Sequence, residues 1–469
     1  MFIEDLIGKE VEDEYLVKHI IKSAHSKGGQ GVVCFTEDSS IVLKFCFGNA
    51  ENLISRQENP DLYKQKTNEI KAVYLSPFPE NLHLAYPVAI LKDYAGYVMR
   101  LLDGMENCEV LSEINTYPQT GSYRRRFELF SRAACVLSQI HSNGMVYCDI
   151  SPSNMFVTKN ALGKNQNMWF IDSDNVYILS EKNKRCVYTP RYAAPEVINQ
   201  KSPCTQNSDV YSFAVVTFEA LACNHPFEGD IITGSQEVES CAWDNSITIT
   251  KAVSQNASSK KGIDPLYSGT IPWIEDIKDT KNHTNNGLPR QFFINDELFK
   301  LYNKTFDENG RKNPQKRPTI YFWGKAFAKA SDTTVCCSDE TCRMSHIYDE
   351  QTDLVSNKCP FCDKELGKIL IIKSQGSVVF TREIAEGQIV EVPERVFVPF
   401  DIIKNPIPLL SIKLENNFLM LKKSQTSTAD KTSIFCDGKE IYNKLFDSSA
   451  ACEITINSRT FTIEIGGAK

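Results

Sequence analysis

The sequence predicts an α+β protein with a two-lobed amino-terminal part, a short cysteine-bearing segment and a β-rich tail. Three observations carry that prediction. Residues 1 to about 105 alternate short β-like runs with turns. From Tyr123 the apolar pattern turns helical. After about residue 330, paired cysteines precede a hundred residues of β character. With 469 residues, 42% hydrophobic and 24% charged, the chain is long enough for two to four domains of ordinary composition.

In the first region "GGQGVVCFT", "SIVLKFCF" and "AGYVMRLL" read as strands, with a helical stretch near "KTNEIKAVYL" between the last two. In "YRRRFELFSRAACVLSQIHSNG", Phe127, Phe130, Ala134 and Leu137 recur at helical spacing, and Ala133, Val136 and Ile140 widen the stripe. Gly144 is placed to stop that helix. The stretch 228–290 is polar and weakly periodic, and is expected to be a surface insertion. Helical patterning returns at "DELFKLYNKTF" and "IYFWGKAFAKA". In the tail, "SIKLENNFLMLKK" and "EITINSRTFTIEI" alternate, with Asp437-Gly438 as a hairpin turn between them.

Net charge is −7 with no arginine-rich tract, so bulk electrostatics argue against nucleic acid as the main partner. The first residues lack the basic start and apolar run of a signal peptide, and no stretch approaches about 18 uninterrupted apolar residues. The expectation is a cytoplasmic protein without a membrane span, whose scattered cysteines are mostly reduced and buried.

Taken singly, the motifs are weak. "SKGGQGVV" could be a plain hairpin turn, although a Gly-rich turn also lets backbone N–H groups close over phosphate oxygens. Lys44 in the apolar run "IVLKF" could be an edge residue, and Glu69 an ordinary helix-surface acid. Their order changes the odds. Asp149 and Asn154 follow in "VYCDISPSNMFV", Asp172 ends an apolar run in "WFIDSD", and then come "YTPRYAAPEV", "SDVYSFAVVTFEAL" and "NPQKRPT". Over residues 15 to 330 this order resembles the Hanks-type (eukaryotic-like) Ser/Thr protein kinase family.

The resemblance implies a bilobal kinase fold and Mg²⁺-dependent transfer of the ATP γ-phosphoryl group to a protein substrate. By that resemblance, Gly28 and Gly31 would line the phosphate loop, with Ser26 in place of its first glycine, and Val33 would cover the adenine. Lys44 would hold the α/β-phosphates and pair with Glu69, and Met99 would be the gatekeeper. Asp149 would be the catalytic base, Asn154 and Asp172 would bind magnesium, and Thr189 would lie near the substrate. Glu196 would pair with Arg317, and Asp209 would anchor the catalytic loop.

The chain departs from the family at its supports. Tyr147 and Cys148 stand where a kinase has His-Arg, Ser151 replaces a Lys, and Ser173-Asp174 replaces Phe-Gly. The charge-bearing set is complete, so the reading is an active kinase of non-RD type. The alternative is an ATP-binding pseudokinase acting as a regulator or scaffold. Because Cys148 cannot pair with a phosphate, control by phosphorylating residues 173–193 through that contact is not expected. Aminoglycoside-type phosphotransferases share the Asp-x4-Asn and metal Asp but lack the "TPRYAAPE" segment, which favours a protein acceptor.

"CSDETC" and "CPFC" give C-x4-C…C-x2-C, the spacing of four thiolates around a tetrahedral Zn²⁺. Cys337, Cys342, Cys359 and Cys362 are the expected ligands, with Cys336 or His346 as substitutes, and the segment resembles a structural zinc ribbon bridging its neighbours. Residues 368–469 suggest a small β-sandwich with a faint resemblance to a forkhead-associated (FHA) domain, although the Arg-Ser pair such domains use for phosphothreonine is not evident. The expected division is 1–105 N-lobe, 106–331 C-lobe, 332–367 zinc ribbon and 368–469 β-rich regulatory module. This layout resembles a bacterial kinase subgroup that accompanies a phosphatase and a von Willebrand A-type protein in stress-response operons.

Overall fold

The computed structural model describes residues 2–28, 31–48, 51–79, 81–163, 166–179, 186–233, 266–402, 406–425 and 432–466. The first region is a six-stranded antiparallel sheet, in the order β1-β2-β3-β4-β6-β5. Its strands are β1 (Glu10–Glu12), β2 (Lys18–Gly28), β3 (Gly31–Thr36), β4 (Ile41–Cys46), β5 (Ala89–Ile90) and β6 (Gly96–Arg100). Helix α1 (Pro60–Tyr74) comes between β4 and β5 and starts at a proline, whose missing N–H costs nothing in the first turn. The register sets Val33 opposite Lys44, Lys44 opposite Tyr97 and Val42 opposite Met99. Directly opposed residues share a face, so these five positions line one side of the sheet.

The second region is built on helix α2 (Ser122–Ser142). The expected stripe is buried along its whole length, and Gly144 takes φ 70° just beyond its end. Strands β7 (Met105–Asn107), β9 (Met155–Thr158) and β10 (Met168–Phe170) form one small sheet, and β8 (Met145–Val146) pairs with β11 (Tyr177–Ile178). Short helix α3 (Pro195–Ile198) leads to α4 (Gln206–Ala222), which is buried on nearly every side. After short α5 (Asp230–Thr233) come α6 (Asp296–Phe306), α7 (Glu308–Lys312) and α8 (Ile320–Asp332).

The expected surface insertion needs correction at its far end. Residues 234–265 fall outside the described residues, but those after them are packed. Trp273 is fully buried against Phe218, Phe299 and Phe306, and buried Asn282 donates to the carbonyls of Phe227 and Pro272. A run rich in Asn, Lys and Asp hides the buried apolar residues Leu266, Ile271, Trp273, Ile274 and Leu288, spaced too irregularly to register as a period.

Beyond α8, β12 (Thr334–Cys336) pairs with β13 (Ser345–Ile347), and α9 (Glu350–Ser356) follows. Two sheets then share one apolar core. The six-stranded sheet runs β15-β14-β23-β22-β19-β20 and the four-stranded sheet β16-β17-β18-β21. Their strands are β14 (Ile369–Ser374), β15 (Ser377–Glu383), β16 (Ile389–Pro393), β17 (Pro408–Glu415), β18 (Phe418–Lys423), β19 (Ile434–Cys436), β20 (Lys439–Glu440), β21 (Asn443–Asp447), β22 (Cys452–Ile456) and β23 (Arg459–Gly466). Asp437-Gly438 is a hairpin turn, but it joins only β19 to β20. Each of the two long alternating runs is itself a hairpin, folded at Asn416-Asn417 and at Asn457-Ser458. All six turn residues have positive φ, as a two-residue turn between twisted strands requires.

The cysteine segment is not the sole bridge between its neighbours. Arg124 on α2 forms an ion pair with Glu383 on β15, at 2.6 Å, and Arg395 meets Asp332 at the end of α8 through two bonds of 2.7 Å. Gly324 of α8 leaves room for Ile402, whose side chain a Cβ there would strike. Among the described residues, no helix is long and apolar enough to cross a membrane.

Candidate active site

The chemistry-bearing residues gather where the amino-terminal sheet faces β8–β11. Gly31 is required by packing, because a side chain there would collide with the Phe45 carbonyl on β4. Gly28 opposes it in the register, and residues 29–30 lie outside the described residues. Val33 and Met99 join Leu101, Leu102 and Ile171 in an apolar patch that spans the two lobes. That is a suitable floor for a flat heterocycle.

Lys44 is buried, and its ammonium is held by two carboxylates. Asp174 Oδ1 lies at 2.6 Å and Asp172 Oδ1 at 2.9 Å. Burial disfavours the charge on Lys44, but Asp174, Tyr97 and Asp172 outweigh it and raise its pKa well above the usual lysine value. Asp174 is the converse case. Its burial opposes ionisation, yet Lys44 prevails and holds the carboxyl below the usual range. The expected Lys44–Glu69 pair is not the one formed. Glu69 accepts from Gln65 and Lys66 on its own helix, at 3.2 and 3.1 Å, while Asp174 supplies a carboxylate where the family has glycine.

The catalytic-loop segment is pinned from below. Asp209, fully buried at the start of α4, accepts from the backbone N–H of Tyr147 at 2.8 Å and of Cys148 at 3.0 Å, and its Oδ2 lies 2.9 Å from His141 Nε2. Those bonds hold Cys148 at φ 78°, a conformation a non-glycine residue keeps only when its surroundings enforce it. Cys148 itself is buried in the C-lobe core.

Beyond that turn, Asn154 Nδ2 donates to the Asp149 carbonyl at 2.9 Å and to its Oδ2 at 3.1 Å. Thr189 Oγ1 donates to Asp149 Oδ1 at 2.8 Å. Burial raises the Asp149 pKa above the usual carboxylate value, although Thr189 and Asn154 pull it back. Glu196 and Arg317 form a buried pair with bonds of 2.7 and 2.8 Å.

The sequence puts Tyr147 in place of the family's His, but it does not show how Tyr147 supports the loop. The Tyr147 ring is fully buried, edge-on to Phe170 at 5.0 Å, and its hydroxyl donates to the Ile171 carbonyl, one residue before Asp172. The loop is therefore propped by a longer side chain. The signal was the aromatic residue beside a hydrophobic run, which by itself reads as core. Ser173 is buried, and its hydroxyl finds no hydrogen-bond partner.

A second constellation lies in the C-terminal half. The Sγ atoms of Cys337, Cys342, Cys359 and Cys362 all lie within 4.8 Å of one another. Cys337–Cys362 and Cys342–Cys359 are separated by 3.6 and 3.8 Å. A tetrahedral ion with metal–sulfur bonds of about 2.3 Å needs edges of about 3.8 Å, so the four thiols fit Zn²⁺. Arg343 and Asp363, each just after a cysteine, take positive φ and turn the chain back around the cluster. Cys336 and His346 are outside it. Cys336 lies on β12 opposite Ser345, and His346 is paired with Asp353 at 3.0 Å.

Comparison with known proteins gives the lineage. Residues 50–323 match the protein kinase domain model. A serine/threonine-protein kinase of Corynebacterium efficiens is 26% identical over 238 residues, covering 49% of this chain and 42% of that protein. PknA of Corynebacterium glutamicum is 25% identical over 240 residues, covering 49% and 46%. A probable serine/threonine-protein kinase PknB of Lactococcus lactis is 23% identical over 228 residues, covering 48% and 34%. The chain thus spans less than half the length of these curated relatives. On the matched domain and the residues gathered in the cleft, the chain belongs to the protein kinase family, in its Hanks-type serine/threonine branch.

Proposed function

We propose that this chain is an ATP- and Mg²⁺-dependent kinase that phosphorylates Ser or Thr of protein substrates in the cytoplasm. The observation that carries the reading is Asp149, whose carboxylate already accepts a threonine hydroxyl at 2.8 Å and is braced by Asn154. An acceptor hydroxyl in the place of Thr189 would be oriented and deprotonated by the same carboxylate. Asp172 and Asn154 supply hard oxygen donors for Mg²⁺, which would neutralise charge on the phosphates. Lys44 supplies a cation for the phosphates, Gly28 and Gly31 the close-approaching turn, and Val33 with Met99 the apolar floor. Glu69 would join Lys44 if α1 and the Asp172–Asp174 turn rearranged.

One observation favours the second reading, an ATP-binding pseudokinase. Both contacts of the Lys44 ammonium go to carboxylates of the protein itself. The discriminating experiment is incubation with labelled ATP and Mg²⁺, wild type against Asp149→Asn. Transfer that falls by about a thousandfold in the variant supports the kinase, on the scale of lost general-base catalysis and charge positioning. The pH profile adds a check. Asp149 acts ionised and its pKa is raised, so activity should fall on acidification from a higher pH than an ordinary aspartate would give. Equal, background-level transfer by both proteins leaves the pseudokinase.

The four cysteines are proposed as a structural Zn²⁺ ribbon at 332–367, since four thiolates would fill a tetrahedral site and leave no position open for a substrate. Residues 368–469 are proposed as a β-sandwich, FHA-like regulatory module, after an N-lobe at 1–105 and a C-lobe at 106–331. The layout supports a role in bacterial stress signalling beside a phosphatase and a von Willebrand A-type protein. Cys148, buried and uncharged, supports the non-RD assignment.

A further inference from the structure

The Lys44 ammonium contacts raise a question the phosphotransfer reading leaves open. A lysine meant for phosphate is held 2.6 Å from Asp174 and 2.9 Å from Asp172. Asp174 is the deeper partner. Its side chain is 11% exposed against 34% for Asp172, and Tyr97 Oη donates to the same Oδ1 at 3.3 Å. The short helical turn Ser173–Asn175 begins with Asp172 at φ 59°, and this turn brings both carboxylates to one ammonium. Buried charge-assisted bonds of this length are strong, because little water competes for either partner.

Resting on the phosphotransfer reading, we propose that Asp174 is a positioning residue that makes nucleotide binding conditional on a divalent cation. Without the cation, the two carboxylates outnumber the ammonium, and an approaching phosphate meets net negative charge. A divalent cation has a natural claim on both carboxylates, since hard cations take oxygen ligands. With both carboxylates turned to it, the Lys44 ammonium would be free for the phosphates, and the net local charge would be positive. A glycine at position 174 could not do this. It would leave Asp172 alone opposite Lys44, and metal-free nucleotide would meet no surplus of negative charge.

The test is equilibrium binding of a fluorescent ADP analogue to the full chain, in EDTA and in Mg²⁺, for wild type, Asp174→Asn and Asp174→Gly. Asn keeps the shape of the side chain, and thermal unfolding of each protein checks the fold. In EDTA both variants should bind about tenfold tighter than wild type, the scale of one unit charge a few ångströms away in a partly solvated cleft. In Mg²⁺ that advantage should disappear, because each variant also lacks one of the two carboxylates that would take the cation, so that wild type shows the largest gain from the cation. An equal gain from Mg²⁺ in all three proteins would overturn the inference. So would weaker binding of the variants in EDTA, which would make Asp174 a presenter of Lys44 instead of its competitor. If no protein binds in either buffer, the phosphotransfer reading fails, and the inference falls with it.

Discussion

The C-lobe and the C-terminal β unit bury different things. The C-lobe hides charge. Arg126 is fully buried, with its guanidinium bonded to the carbonyls of Leu111, Ala220 and Ser122, and Asp209, Glu196 and Arg317 are buried elsewhere in the lobe. In the β unit, Ser374 and Thr381 are the only polar residues among the buried described positions beyond Gly367, and the core is Leu, Ile, Val and Phe with Cys436 and Cys452. Apolar packing fills space but is non-directional. A buried hydrogen-bonded charge fixes an orientation, because breaking it leaves an unpaired group. The lobe that must hold Asp149 and Asn154 in register carries such fixtures.

The cysteine segment between them tests this comparison most severely, because it has neither device in quantity. Its own core amounts to Val335, Tyr348, Leu366 and the cysteines, closed by Ile369 and Ile371 of the next strand. If Zn²⁺ supplies its folding energy, chelation removes a term of about 10–16 kcal/mol, as measured for small zinc modules. Elemental analysis should find one Zn²⁺ per chain, and Cys359→Ser should lose it. Limited proteolysis after chelation should cut within 337–366. The direct contacts Arg124–Glu383 and Arg395–Asp332 should keep the β unit docked on the C-lobe. A metal-free protein whose cleavage pattern ignores the chelator would leave these cysteines as buried thiols.

The next test sets the two cores against each other. Arg317→Ala leaves Glu196 buried without its partner and should cost about 3–5 kcal/mol. Ile412→Ala, in the centre of the β unit, should cost about 2–5 kcal/mol through lost transfer energy and a cavity. The sizes overlap, so the distinguishing measurement is rescue. Replacing Glu196 and Arg317 together with apolar residues of similar volume should recover much of the loss, because the penalty is an orphaned charge. No second substitution opposite Ile412 recovers the β unit unless it refills the volume. Denaturant unfolding of the single and double variants decides it, and a double variant as unstable as Arg317→Ala would sink the comparison.

What could be read from the sequence divides along the same line. Lys44, Asp149, Asn154 and Asp172 stood out because polar residues in a fixed order and spacing interrupt apolar runs. The clustering of Cys337, Cys342, Cys359 and Cys362 was legible because each pair sits on its own tight turn. Choosing Cys337 over its neighbour needed strand parity, since only β12 places Cys336 opposite Ser345. Long-range partnerships were legible only where the family resemblance supplied them, as for Glu196 with Arg317 and Asp209 with the loop at Tyr147–Cys148; the others were not. Lys44 reaches Asp174 across 130 positions and Arg395 reaches Asp332 across 63, and on a strand or helix such residues look like solvated surface. Trp273 was lost in a polar run for a related reason, because core residues spaced irregularly among polar ones show no period.

The smallest effect expected belongs to Tyr147, and it shows whether a neutral hydrogen bond serves where the C-lobe elsewhere uses charge. Its hydroxyl donates to the Ile171 carbonyl, while its ring is held by Phe170. Tyr147→Phe keeps the ring and removes one donor, leaving that buried carbonyl short of a partner, at a cost of about 1 kcal/mol. The bond ties the catalytic-loop segment to the residue before Asp172, so the loss should appear as misplacement of Asp172 relative to Asp149. We expect kcat to fall about fivefold, a change of about 1 kcal/mol in the barrier. KM for ATP should stay nearly constant, because Lys44, Val33 and Met99 are untouched. A stability loss of the same size with kcat unchanged would mean that ring packing alone aligns the loop, and that the hydroxyl is an ordinary core hydrogen bond.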